Sequence, residues 1–113
     1  MRKLIRTVLS GFLVLASSHA TAANVWTGYK AVTEVQVLED GSFLLTFSSA
    51  IGAPCSVAGP NTLYILIGAN YVTADGAKAM LSTALTALAA GKSLNVMYDD
   101  STSYCNGRYM RIQ

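Results

Sequence analysis

The sequence predicts an α+β fold, mostly β, in which one helix packs across a small curled antiparallel sheet. Three observations carry that expectation. Short runs rich in β-branched and aromatic residues recur along the chain. A single stretch, residues 75–90, repeats its apolar residues at helical spacing. The strands and the helix segregate in sequence rather than alternate, which argues for α+β.

The chain of 113 residues opens on Arg2, Lys3 and Arg6, a basic head. An apolar run (VLSGFLVLA, 8–16) and a small-residue stretch follow, with an Ala-x-Ala site at Ala20-Thr21-Ala22. This layout predicts a signal peptide over residues 1–23, and the apolar run is too short to span a bilayer. Residues 24–113 are then a single domain of about 90 residues, expected to be secreted or periplasmic.

Within that domain, residues 31–38 (AVTEVQVL) alternate, with one slip of phase between Val32 and Val35, so a bulged strand is expected. Asp40-Gly41 predicts a two-residue hairpin turn into a return strand at 42–48 (SFLLTFS). Residues 50–61 are rich in Gly and Pro and read as a loop. The continuous apolar run LYILI (63–67) predicts a central strand buried on both faces.

In the helix, Ala77, Met80, Leu81, Ala84, Leu85 and Leu88 form the expected core stripe. Thr73 or Asp75 supplies the start, and Gly91 supplies a left-handed stop. Residues 93–98 (SLNVMY) form a further strand with Leu94, Val96 and Tyr98 on one face. A polar turn at 99–107 leads into a last strand at 108–112 (RYMRI), which sets Tyr109 and Arg111 opposite Arg108, Met110 and Ile112. Five short strands and one helix in this order suit a small OB-like Greek-key barrel, or a curled antiparallel sheet with the helix across it.

Composition narrows the function. Without the leader, five cations face six carboxylates, a net charge of −1. No basic run is left to neutralise a phosphate backbone, so no nucleic-acid partner is expected, and no later segment is long enough for a membrane span. Cys55 and Cys105 are the two cysteines, and in an exported chain an even pair predicts a disulfide. The rival reading is two free thiols or half of a metal site. The absence of CxxC and of any histidine after His19 disfavours it.

The inventory for catalysis is thin. His19 leaves with the leader, removing the commonest general base, and no GxSxG, HExxH, P-loop or GxGxxG motif is present. No enzymatic activity, cofactor or metal is expected. Asp99-Asp100-Ser101-Thr102 offers oxygens but lacks the spacing of a calcium loop, and reads as a solvated turn. The six tyrosines and Trp26 are more suggestive, because flat apolar rings with a polar tip suit sugars and protein interfaces. Tyr64 and Tyr98 read as core strand residues. Tyr29, Tyr71 and Tyr104 fall in loops or at strand ends and, with Lys30, are the candidate ligand-binding residues. The low-charge outer side of the helix (Ala79, Ser82, Thr83, Thr86, Ala90) suits either solvent or a second subunit.

Trp26-Thr27-Gly28, the following AVTEVQV run, and the helix–Gly–strand stretch 77–98 resemble the B subunits of the subtilase cytotoxin and typhoid toxin group. Cys55 stands where that group has a cysteine ahead of its helix. The resemblance implies an OB-like fold, a homo-oligomer with five subunits in a ring, and recognition of sialylated host glycans. The group carries a longer loop after Trp-Thr-Gly, with a serine that contacts the sugar. Here Tyr29-Lys30-Ala31 follow at once, so that serine has no counterpart. The resulting expectation is a secreted, non-catalytic binding protein that engages a glycan or a protein. The alternative is a monomeric periplasmic or secreted structural or interaction protein.

Overall fold

The first strand of the sheet is broken in two. The computed structural model describes residues 23–52 and 54–113, so the predicted leader, apart from Ala23, lies outside the described residues. The strand β1 (Asn24–Trp26) runs into β2 (Lys30–Val37) through Thr27-Gly28. Gly28 adopts φ +82°, a conformation a side chain disfavours. Across the break, the Thr27 amide donates to the Val96 carbonyl at 2.9 Å and its hydroxyl accepts from the Val96 amide at 3.1 Å. The Gly28 amide donates to Asn95 Oδ1 at 2.9 Å. The Thr27 and Asn95 side chains thus accept two backbone amides where the ladder is interrupted, and Thr27-Gly28 has a structural reason to be there. No strand was expected before residue 31, because three residues carry no readable period.

The strand β2 pairs antiparallel with β3 (Phe43–Phe47), with the predicted irregularity between Val32 and Glu34. The hairpin loop has three residues, Glu39–Gly41, rather than the two expected from Asp40-Gly41. Leu38 and Ser42 close it with a 2.7 Å backbone bond, and the Gly41 amide donates to Leu38 O. The reason is Asp40: its carboxylate accepts the Ser42 amide at 2.9 Å and the Ser42 hydroxyl at 3.1 Å. That favours a local turn followed by Gly41 at φ +97°. The same hydroxyl accepts the Ile67 amide at 2.9 Å, which ties the hairpin to the loop after β4.

The strand β4 (Thr62–Ile65) is shorter than the apolar run, and Thr62 is buried on the face it shares with Tyr64. Leu63 and Ile65 are fully buried while Tyr64 is half-buried. It pairs with β3 on one side, and on the other Tyr64 bridges to Asn106, the Tyr64 amide donating to Cys105 O at 3.3 Å.

The helix α1 (Ala74–Ala90) begins at Thr73, whose hydroxyl accepts the Gly76 amide at 3.0 Å, and ends at Gly91 with φ +68°. Its buried contacts are the alanines 77, 84 and 87, with Met80 and Leu81 beside them. Leu85 and Leu88, expected in the core, are exposed instead. Small side chains bring the helix axis close to β2, so the stripe of contact is narrow and the flanking leucines fall outside it.

The strand β5 (Ser93–Asp99) is the hub of the sheet. It pairs antiparallel with β1 along residues 97–99, with β2 at 93–94, and along its other edge with β6 (Gly107–Ile112). Leu94, Val96 and Tyr98 point into the core with Phe43, Leu45, Phe47, Leu63 and Ile65. A parallel bridge between Tyr64 and Asn106 closes the curl. A three-strand meander, a helix and a hairpin are joined so that the first strand pairs with the strand after the helix and the third meets the last. The result is a curled antiparallel half-barrel with the helix across it and the first strand split, in the strand order of an OB-like barrel.

Cys55 and Cys105 form the expected disulfide, with Cα atoms 5.5 Å apart. It fastens the Gly/Pro-rich loop to the turn before β6, and the amides of Ser56 and Val57 also donate to Ser103 O. No helix among the described residues is long and apolar enough to cross a membrane.

Candidate functional site: an aromatic and arginine face

The outer face of β1, β5 and β6 carries a transverse row of three side chains. Trp26 lies opposite Met97, and Met97 lies opposite Tyr109. Alternate residues on a strand share a face, so Asn95 and Arg111, themselves a cross-strand pair, form the next row. Tyr109 is half exposed and Trp26 keeps 36% of its surface. The inward residues Leu94, Val96 and Tyr98 of β5 anchor the platform to the core.

Two guanidinium groups sit on its rings. Arg111 lies 4.5 Å from the Trp26 ring centroid. Arg108 lies 5.0 Å from the Tyr109 ring and 4.8 Å from the Tyr71 ring. Ring faces attract these cations without using their N–H donors, which stay free for a ligand. Among the described residues no carboxylate oxygen lies within 4.0 Å of either guanidinium.

Tyr71 reaches Arg108 from a strained loop. Asn70 and Tyr71 both adopt positive φ, +51° and +68°. For a tyrosine this is an outlier that other contacts must impose. The Asn70 side-chain amide does so, donating to Asn24 Oδ1 at 2.8 Å and to Asn106 O at 2.9 Å. The Gly68 amide bonds Val72 O at 2.8 Å, pinching the loop at its base. The ring it presents is 81% exposed.

Of the residues singled out from sequence, Tyr71 alone joins this cluster. Tyr29 is exposed, and Lys30 donates to Ser49 Oγ at 3.0 Å, near the Ser93 end of β5 and away from Tyr71. Tyr104 packs edge-on against Tyr64, ring centroids 5.2 Å apart, beside the disulfide. Trp26, Arg108, Tyr109 and Arg111 were not singled out as ligand residues. The alternation RYMRI did set Tyr109 and Arg111 on one face, but the strand pairing that brings Trp26 to them lies beyond any local pattern.

Neighbouring polar groups are committed to the fold. Asp99 Oδ1 accepts the amide and hydroxyl of Ser101, closing a local turn. Burial pushes the Tyr98 phenol above its ordinary pKa, with the Asp100 carboxylate adding to the effect. No group of three or more metal-ligating side chains occurs among the described residues. Chemically, the face offers ring surfaces for a flat apolar partner and guanidinium donors for an anionic one. Set against protein-family models, curated proteins and solved structures, the chain has no match.

Proposed function

We propose that this is an extracytoplasmic, non-catalytic binding protein that holds a glycan on the outer face of β1, β5 and β6. The row Trp26–Met97–Tyr109, crowned by Arg111 and Arg108, carries the reading. Exposed rings stack on sugar faces, and free guanidinium donors bind hydroxyl or carboxylate oxygens. The disulfide supports a compartment outside the reducing cytosol. The resemblance to toxin B subunits agrees with glycan recognition, but the residues offered for it differ: Tyr29, Lys30 and Tyr104 sit apart from this face. Screening the domain 24–113 on a glycan array tests the proposal. Binding that Trp26→Ala abolishes supports it, and no binding by a folded, disulfide-intact sample overturns it.

A second reading, assembly with further copies or with a protein partner, rests on a different surface. Leu85 and Leu88 of α1 and Val37 of β2 are exposed, and β2 beyond Ala31 pairs only with β3. An open strand edge beside exposed apolar residues favours a neighbouring chain. Light scattering distinguishes a ring of five from a monomer.

A further inference from the structure

A concavity of about 390 Å³ opens between the first half of α1 and β6. Its helix wall is Gly76, Ala79, Met80 and Thr83. Its strand wall is Arg108, Tyr109 and Met110. Met80 and Met110 rest on the hydrophobic core and give the cleft an apolar, adaptable floor. Gly76 and Ala79 keep the helix wall low. Among the described residues that line it, the charged one is Arg108 at the rim, held between the rings of Tyr71 and Tyr109.

An apolar floor with a guanidinium at its edge selects an amphiphile. A sugar would leave most of its hydroxyls unpaired against Met80, Met110 and Ala79, at a cost for each group desolvated. A neutral hydrocarbon would gain nothing from Arg108. A carboxylate on an apolar body satisfies both features, since the guanidinium fork matches a carboxylate edge and the methionines take the body. We infer that the α1/β6 cleft binds a small amphiphilic carboxylate, with its anionic head on Arg108 and its acyl or aryl body over Met80 and Met110. The strained Tyr71 loop supports this, because it holds the ring that fixes the guanidinium at the mouth. The cleft shares Arg108 and Tyr109 with the glycan face but not Trp26 or Arg111, so variants of the unshared residues tell the two sites apart.

Sodium octanoate is the probe, with octanamide as its neutral counterpart and methionine-methyl NMR as the readout. Octanoate should shift the Met80 and Met110 methyls saturably, with a dissociation constant of about 0.1–1 mM for so small a ligand. Octanamide should bind at least about tenfold more weakly, and Arg108→Gln should erase that difference while keeping the thermal midpoint. Ala79→Leu, which fills the cleft and leaves Arg108 in place, should weaken both. Equal binding of the two probes, shifts that Ala79→Leu leaves unchanged, or no methyl shift at about 10 mM octanoate would overturn the inference. Failure of the glycan face is read separately, from Trp26, whose ring is not part of the cleft.

Discussion

Arg111 rests its guanidinium 4.5 Å from the ring centroid of Trp26, joining the first strand of the domain to the last. The contact exists because β5 lies between them, pairing Met97 with Trp26 on one edge and with Tyr109 on the other. Arg111 stands one step along β6 from Tyr109, on the same face. A surface stack of this kind contributes about 0.5–1 kcal/mol to stability, so its prominence fits a binding role better than a structural one.

Gly107 has no room for a side chain. A Cβ there would overlap Ile65 Cδ1 and would stand 3.2 Å from Val96 Cγ1. Gly107→Ala should destabilise the domain by about 1–3 kcal/mol through overpacking, measured by urea unfolding at constant slope. Ile65→Val in the same chain should recover part of the loss, because it removes the methyl that the new Cβ meets.

The Tyr71 loop should show its strain when the ring is removed in two ways. Tyr71→Ala and Tyr71→Gly both delete the stack on Arg108, but only glycine adopts φ +68° freely. The glycine variant should therefore be more stable than the alanine variant by about 1 kcal/mol, compared by thermal melting.

Removing the disulfide should cost far more than any surface change. It closes a loop with a sequence separation of 50. The chain-entropy account assigns roughly 4 kcal/mol to a loop of that length. Cys55→Ser combined with Cys105→Ser should lower the melting temperature by about 15–30 °C, and added reductant should do the same to the parent domain.

Two groups link stability to pH. The folded state raises the pKa of Tyr98, chiefly by burial, so the stability linked to it is whole below the ordinary tyrosine value of 10.0. It is lost as pH rises through the higher folded value, and Tyr98→Phe should flatten that alkaline fall. Asp40 is the opposite case: the Ser42 amide and hydroxyl hold its carboxyl below the ordinary 3.8. Its contribution is whole above that value and is lost as pH falls through the folded one. Unfolding midpoints measured across pH, with Asp40→Asn for comparison, check both limbs.

Much of the architecture was legible in the chain. The slip between Val32 and Val35 announced the bulge, Thr73 and Gly91 bounded the helix, and the alternation of Leu94, Val96 and Tyr98 marked the inner face of β5. Three expectations failed where tertiary contacts outweigh local pattern. Asp40 captured Ser42 and lengthened the turn, the alanine contact stripe left Leu85 and Leu88 outside, and Tyr64 stayed half-buried, on a face where Tyr104 rather than the core packs against it. The binding face was the least legible part. It is assembled from β1, β5 and β6 by pairing register, and no window of sequence contains Trp26 and Tyr109 together.

Trp26 is the single tryptophan of the chain and lies in the proposed face, so its emission reports directly on occupancy. Titration of the domain with the strongest array glycan should shift Trp26 emission saturably, with the same dissociation constant as calorimetry, and Arg111→Gln should weaken both about tenfold. A glycan that binds by calorimetry while Trp26 emission stays unchanged would contradict the account.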